Sequence, residues 1–247
     1  DNYKKIEKLL LEGCERTAPK RAESCMSKIA DLTTSLVAGD KGLVGEKNFS
    51  ILSAPGDMGE ALLEKLKIPC DVVLCPKAHT SSAEDTKLCA QIMKEQGVDL
   101  LVFCGGDGTA RDICEAVGTD VTVLGIPAGV KMYSACYACN PYQAGEMLAG
   151  WLEGKEMSYE MREVLDIEEK DLDSRNVSPQ LYGFLEVLSD GEHLQKAKEL
   201  DLGSGESATI IARAAILRME KDWVYIIGPG GTTWKIKELL CENDEQE

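Results

Sequence analysis

The residues richest in potential chemistry lie in "CGGDGTARDI", where Gly105, Gly106, Asp107, Gly108 and Thr109 separate an apolar run from a helical pattern. Glycines at a strand-to-helix turn reach φ > 0 and let a ligand approach the backbone, while the helix N-terminus offers unpaired N–H groups and partial positive charge. That combination suits a phosphate. A carboxylate in the same place repels the phosphate, so Asp107 needs a reason to be there. It can accept the proton of an attacking hydroxyl, help hold Mg²⁺, or cap the helix through its own side chain. Residue types alone leave these three open.

A second glycine loop, "IGPGGTTWKI", lies near the end of the chain. Aligned without gaps, Gly228 falls on Gly105, Gly230 on Asp107, Gly231 on Gly108 and Thr232 on Thr109. Both loops follow an apolar run and open a helix, so both are candidate anion cradles, and the carboxylate belongs to the first. Neither fits the Walker A pattern or the G-x-G-x-x-G dinucleotide fingerprint. Among cations, Lys131 follows a strand-end glycine loop, where it either neutralises a phosphate or is a solvated loop lysine. Arg111 and Lys235 open their helices and read as surface residues that can reach phosphate. Asp57 and Glu60 are explained by a helix N-terminus, Glu84 and Asp85 by helix capping, and Asp166, Glu168 and Glu169 by a solvated acidic stretch. His79 has no acid–base partner in sight.

These loops need a scaffold of strands and helices to hold them. "FSILSAP", "CDVVLC", "VDLLVFC" and "VTVLGIPAG" read as strands. Between them lie "EALLEKL", the helix "TSSAEDTKLCAQIMKEQG" with a Ser81–Glu84 capping box ending at Gly97, and the helix after the first glycine loop. A helix in "DNYKKIEKLLLEG" and another from Thr17 with Pro19 in its first turn precede them. This alternation predicts an α/β fold, with a parallel-sheet N-terminal domain over residues 1–150. Residues 151–247 read as a smaller α+β domain, with "QLYGFLEVL" a strand, "SATIIARAAILRME" a helix, "WVYIIGPGG" a strand and loop, and "CENDEQE" a frayed end.

A net charge of −16 argues against a nucleic-acid or anionic-membrane partner, because a phosphate backbone needs a basic stripe. The ten cysteines lack the close spacing of a disulfide scaffold and read as reduced, buried thiols of a cytoplasmic protein. Cys136 and Cys139 form one C-x-x-C, too few ligands for tetrahedral zinc. No apolar run spans a membrane.

"CGGDGTARDI" followed by "GIPAGVKMYSACYA" resembles the ATP-NAD kinase superfamily, specifically its AcoX-like branch. "APGDMGE", "TSSAEDT", "LYGFLEV" and "YIIGPGGTT" are similar to that branch in the same order, from about Thr17 to Leu240. The resemblance implies that the parallel-sheet N-terminal domain is nucleotide-kinase-like, and it implies phosphoryl transfer from ATP, or polyphosphate, to the 2′-hydroxyl of the adenosine ribose of NAD, giving NADP. It implies that Asp107 is catalytic, that Gly105, Gly106 and Gly108 line the nucleotide pocket, and that Mg²⁺ accompanies ATP. NAD and ATP are then the small-molecule partners, and a homo-oligomer is expected. The alternatives are a kinase of the same superfold acting on a lipid or small-metabolite hydroxyl, and a non-catalytic nucleotide sensor. Against the branch's pattern the chain starts after the first strand and its NPxAG-like loop, lacks the Asn-Glu motif, and stops one strand short. A fragment, or loss of edge pieces at both ends, is therefore expected.

Overall fold

The computed structural model describes residues 16–37, 49–75, 82–129, 132–167, 179–195, 204–220, 223–228 and 230–244. The helix expected before Gly13 lies outside them. α1 (Thr17–Val37) starts where Pro19 permits and buries Cys25 and Ile29. β1 (Leu52–Ser53) and β2 (Asp71–Val72) form a short parallel pair joined through α2 (Glu60–Lys65). α3 (Ala83–Glu95) opens on a capping box one residue later than expected, formed by Ser82 and Asp85. Asp85 Oδ2 accepts the Ser82 N–H at 2.9 Å, while the Glu84 carboxylate turns away to Lys87 at 2.6 Å. Gly97 takes φ 73° just beyond this helix, and its missing Cβ removes the penalty of that conformation.

The central sheet carries the first glycine loop. β3 (Leu101–Gly105) runs parallel to β4 (Val123–Pro127), with α4 (Asp107–Val117) as the crossover. All five residues of β4 are buried, as expected of a strand covered on both faces. α5 (Pro141–Glu153) follows, capped by the Asn140 side chain with Pro141 in its first turn. β5 (Ser158–Asp166) and β6 (Gln180–Ser189) then pair antiparallel, and β6 lies parallel to β4 through Val123 and Val187. The sheet order is β3-β4-β6-β5, so the fold is α/β with a parallel sheet and one antiparallel edge strand. Leu124, Val164, Leu185, Val187 and Leu188 are wholly buried in its core. Losing the side chain of any of them forfeits apolar burial and leaves a cavity.

The division expected near residue 150 falls elsewhere. The chain separates into compact units between Ala197 and Lys198. β5 and β6 belong with the first unit because their strand pairing completes the sheet that β3 and β4 begin. In the second unit the described residues contain two helices, α6 (Ser204–Ile216) and α7 (Gly231–Asp244). Residues 223–228, which read as strand, are in no strand, and Trp223, Val224 and Ile226 are exposed. α7 continues through Cys241 to Asp244, where fraying was expected. Among the described residues no helix is long and apolar enough to cross a membrane.

After β4 the chain returns beside the sheet, where Tyr137 bridges Gly125 and Ala138 bridges Leu194. The Tyr137 carbonyl accepts the Gln195 N–H at 2.9 Å, and the His193 carbonyl accepts the Cys139 N–H at 2.7 Å. A Cβ on Gly125 would stand 2.6 Å from the Cys136 carbonyl oxygen and 2.6 Å from the Tyr137 ring. Gly125→Ala should therefore destabilise the chain by about 1–3 kcal/mol, the usual cost of overpacking a filled core, read as a lower urea midpoint at unchanged slope. An unchanged midpoint would show that the bridge yields freely.

His193 Nδ1 lies 2.5 Å from Asp190 Oδ2, and this hydrogen bond raises the imidazole's pKa above its ordinary 6.5. A group whose folded pKa exceeds its unfolded one stabilises fully below the unfolded value and loses that contribution as pH rises through the folded one. Stability should thus decline from pH 6.5 upward through the raised His193 value, and His193→Gln should flatten that slope in denaturation curves. A slope that persists in the variant would assign it to another group.

Candidate functional site

β3 ends at Gly105, Gly106 is the N-cap of α4 with extended backbone (φ −116°, ψ −168°), and Asp107 is the first helical residue. None of Gly105, Gly106 and Gly108 has the positive φ expected of them. Their use is the missing side chain. A Cβ on Gly105 would lie 2.3 Å from Thr109 Oγ1, so the Thr109 side chain folds over Gly105 and fills the turn from within. Gly106 instead faces Gly129: a Cβ there would be 3.9 Å from the Gly129 Cα and would meet nothing closer. Gly106 thus leaves bare backbone at the carboxyl end of β3, where parallel sheets bind ligands, while the Met132 side chain lies over Gly129.

Asp107 does not cap its helix; Gly106 holds that position without a side-chain bond. The Asp107 carboxylate is buried and reaches across to the next loop. Oδ2 accepts the Tyr133 N–H at 2.8 Å, and Oδ1 accepts the Ser134 N–H at 2.9 Å. Ser134 passes the connection on. Its Oγ donates to the Leu165 carbonyl at 2.8 Å and accepts the Leu165 N–H at 3.0 Å, while Ala135 donates to the Glu163 carbonyl. One carboxylate, through one buried serine, therefore ties the glycine loop to the end of β5.

That tie brings in Asp166, which the sequence placed in a solvated acidic stretch. Asp166 is half-buried at the end of β5, and its Oδ2 would lie 3.9 Å from a Cβ on Gly108. Burial raises its carboxyl pKa; the Ile167 N–H and Arg111 oppose this, and the Asp107 charge reinforces it. Arg111 Nη1 donates to Asp166 Oδ2 at 2.9 Å and its guanidinium lies 5.4 Å from the Tyr182 ring centroid. Arg111 is thus held beside the loop rather than spread on the surface. The sequence signal was thin: an Arg four residues after Asp107, and an Asp at the end of a stretch of mixed polarity that went unrecognised as a strand. Ser134 and Tyr137 lay within the quoted "GIPAGVKMYSACYA", but nothing in the sequence assigned either a role.

Lys131, His79, Glu168 and Glu169 fall outside the described residues. Glu60 Oε2 accepts the Gly56 N–H at 2.7 Å, a local turn, and Lys235 pairs with Glu238 at 2.7 Å. The second glycine loop belongs to the other unit. There Gly230 takes φ 150°, a conformation that favours glycine, and its carbonyl opens α7 by accepting the Trp234 N–H at 2.8 Å. Aligned by helix start, Gly230 corresponds to Gly106 and Gly231 to Asp107, one residue away from the sequence alignment. The loops containing Gly228, Gly230, Gly231 and Thr232 and containing Asp107 are alike in sequence but built differently.

Among the described residues no cysteine forms a disulfide, and no three His, Cys, Asp or Glu side chains are grouped to hold a metal. Burial pushes the Cys25 and Cys89 thiols up to about 12 and Cys104 up to about 11, which keeps them protonated. Cys136 is buried as well, but Cys139 and Cys241 are exposed, unlike the uniformly buried thiols expected.

The geometry gathers bare loop backbone, a helix N-terminus, a tethered carboxylate with spare lone pairs and an anchored guanidinium at one end of a parallel sheet. This suits an anionic phosphate ester beside a hydroxyl. The family described as "ATP-NAD kinase N-terminal domain" matches residues 15–156, more than half of the chain, from α1 through the glycine loop to the end of α5. No curated protein and no solved structure matches the chain. The chain belongs to the ATP-NAD kinase family of phosphotransferases.

Proposed function

We propose that this chain transfers the terminal phosphoryl group of ATP, or of polyphosphate, to the 2′-hydroxyl of the adenosine ribose of NAD, forming NADP. We place it in the AcoX-like branch, acting in the cytoplasm as a homo-oligomer. The observation that carries the reading is the Asp107 carboxylate, held by two backbone N–H groups at the N-terminus of α4. Each oxygen accepts one N–H and keeps a lone pair for a substrate hydroxyl.

In this reading the bare Gly106 backbone and the first turn of α4 receive the phosphates. The acceptor hydroxyl attacks the terminal phosphorus, the bond to the leaving ADP oxygen breaks, and the hydroxyl proton passes to Asp107. The transferred charge is loose and spread, so positioning and electrostatics supply most of the acceleration. Mg²⁺ in such sites is held by phosphates plus one or two carboxylates, a requirement that Asp107 and Asp166 fit, and when bound it offsets phosphate charge. Arg111, fixed by Asp166 and Tyr182, adds positive charge beside the first turn.

The wild-type chain should form NADP from NAD with ATP or polyphosphate as donor, followed by an NADP-specific coupled assay. ATP consumed only with a lipid or another alcohol would reassign the acceptor, and ATP bound without turnover would make the chain a sensor. Asp107→Asn should lower turnover by about 10²–10⁴-fold, the scale of losing a general base. The amide nitrogen also faces a backbone N–H, so ATP affinity should fall by up to about tenfold, one hydrogen bond's worth. Unchanged turnover in that variant would remove Asp107 from the chemistry.

A further inference from the structure

Tyr137 is wholly buried, and its hydroxyl donates to the Gly106 carbonyl at 2.6 Å. Its ring is fixed from two sides. Phe103 meets it edge-on with centroids 5.5 Å apart, and Gly125 leaves the space that the ring fills. The hydroxyl therefore stands at a set point in the core.

The Gly106 carbonyl has no need of this donor. It already accepts the Thr109 N–H at 2.9 Å and the Ala110 N–H at 3.1 Å, the bonds that open α4. A carbonyl oxygen has two lone pairs, so the tyrosine is a third donor to a satisfied group. What it adds is direction. The peptide joining Gly106 to Asp107 is planar and trans, so its N–H points opposite to its carbonyl. With the carbonyl directed along α4 and held there by Tyr137, the Asp107 N–H points the opposite way, out of the N-terminus of the helix. The same plane sets the Cα from which the Asp107 carboxylate departs toward Tyr133 and Ser134.

We infer that Tyr137 is a positioning residue: its hydroxyl orients the Gly106–Asp107 peptide so that the Asp107 N–H meets the donor's phosphate and the carboxylate meets the acceptor hydroxyl. This rests on the reading of the loop as a phosphoryl-transfer site. The tyrosine touches neither substrate and acts through the peptide that it holds.

Tyr137→Phe on the whole chain separates orientation from packing, because the ring stays and the Gly106 carbonyl keeps two donors. The melting temperature should stay within about 4 °C of wild type, the shift produced by roughly one hydrogen bond in a small domain. Amide exchange in the unliganded protein should rise about tenfold in the peptide covering residues 105–110, again one hydrogen bond's worth. The KM for ATP should rise and kcat fall, each by about three- to tenfold, while the KM for NAD is unchanged. In an Asp107→Asn background the same change should cost kcat little further, since the group it positions is gone. Unaltered exchange and unaltered ATP kinetics would overturn the inference, as would equal effects on the KM values of ATP and NAD. Faster exchange in a chain whose wild type transfers no phosphoryl group would overturn the functional reading and retain the orienting role of the hydroxyl.

Discussion

Two backbone N–H groups, from Tyr133 and Ser134, converge on the Asp107 carboxylate, and the arrangement of the whole loop region depends on that meeting. Strand pairing sets Gly105 beside Pro127, so the chain leaves β3 and β4 at the same edge of the sheet. Pairing alone does not say how the two exits are held. A buried carboxylate satisfied by neighbouring main-chain amides does, because breaking either bond leaves a polar group unpaired in a site with little water. Ser134 extends the constraint to Leu165, and so to the end of β5 where Asp166 begins.

Asp107 therefore has a structural task, and under the proposed function the same geometry also serves a chemical one. A carboxylate free to rotate would spend part of its time capping α4 or facing water. Held by one N–H on each oxygen, it presents its remaining lone pairs in one direction. Tyr137 restrains the same turn from below through the preceding carbonyl. The loop is held without unusual backbone angles: Gly105 makes room for Thr109, and no glycine of the turn adopts a conformation closed to other residues.

The two glycine loops show how far sequence likeness reaches. Gly230 is a glycine because its φ of 150° suits little else, whereas Gly106 has ordinary extended backbone with open space beside it. Matching letters thus conceal two different backbones. The gapless alignment equates Asp107 with a backbone position that could not carry a carboxylate in the same way.

Much of the fold was legible in the residues because its signals are local. Apolar runs ending in glycine marked β3 and β4, the 3.6-residue pattern marked α1, α3 and α4, and the glycine loop marked the candidate site. Asn140-Pro141 before α5 and Gly154 after it were equally local signals, read only in hindsight. β5 passed unnoticed because it is an edge strand, half exposed and mixed in polarity, and its identity comes from pairing with β6. The domain division fell at 197 rather than 150 for the same reason: sheet membership is settled by partners distant in sequence. The sequence by itself determined that a glycine-rich turn with one carboxylate stood between β3 and α4. Only the tertiary structure decided what that carboxylate holds, that Arg111 and Asp166 stand beside it, and that Tyr137 aims the peptide before it. Those contacts join residues 26 to 55 positions apart, and no local propensity encodes a meeting that exists only once the sheet has brought its strand ends together.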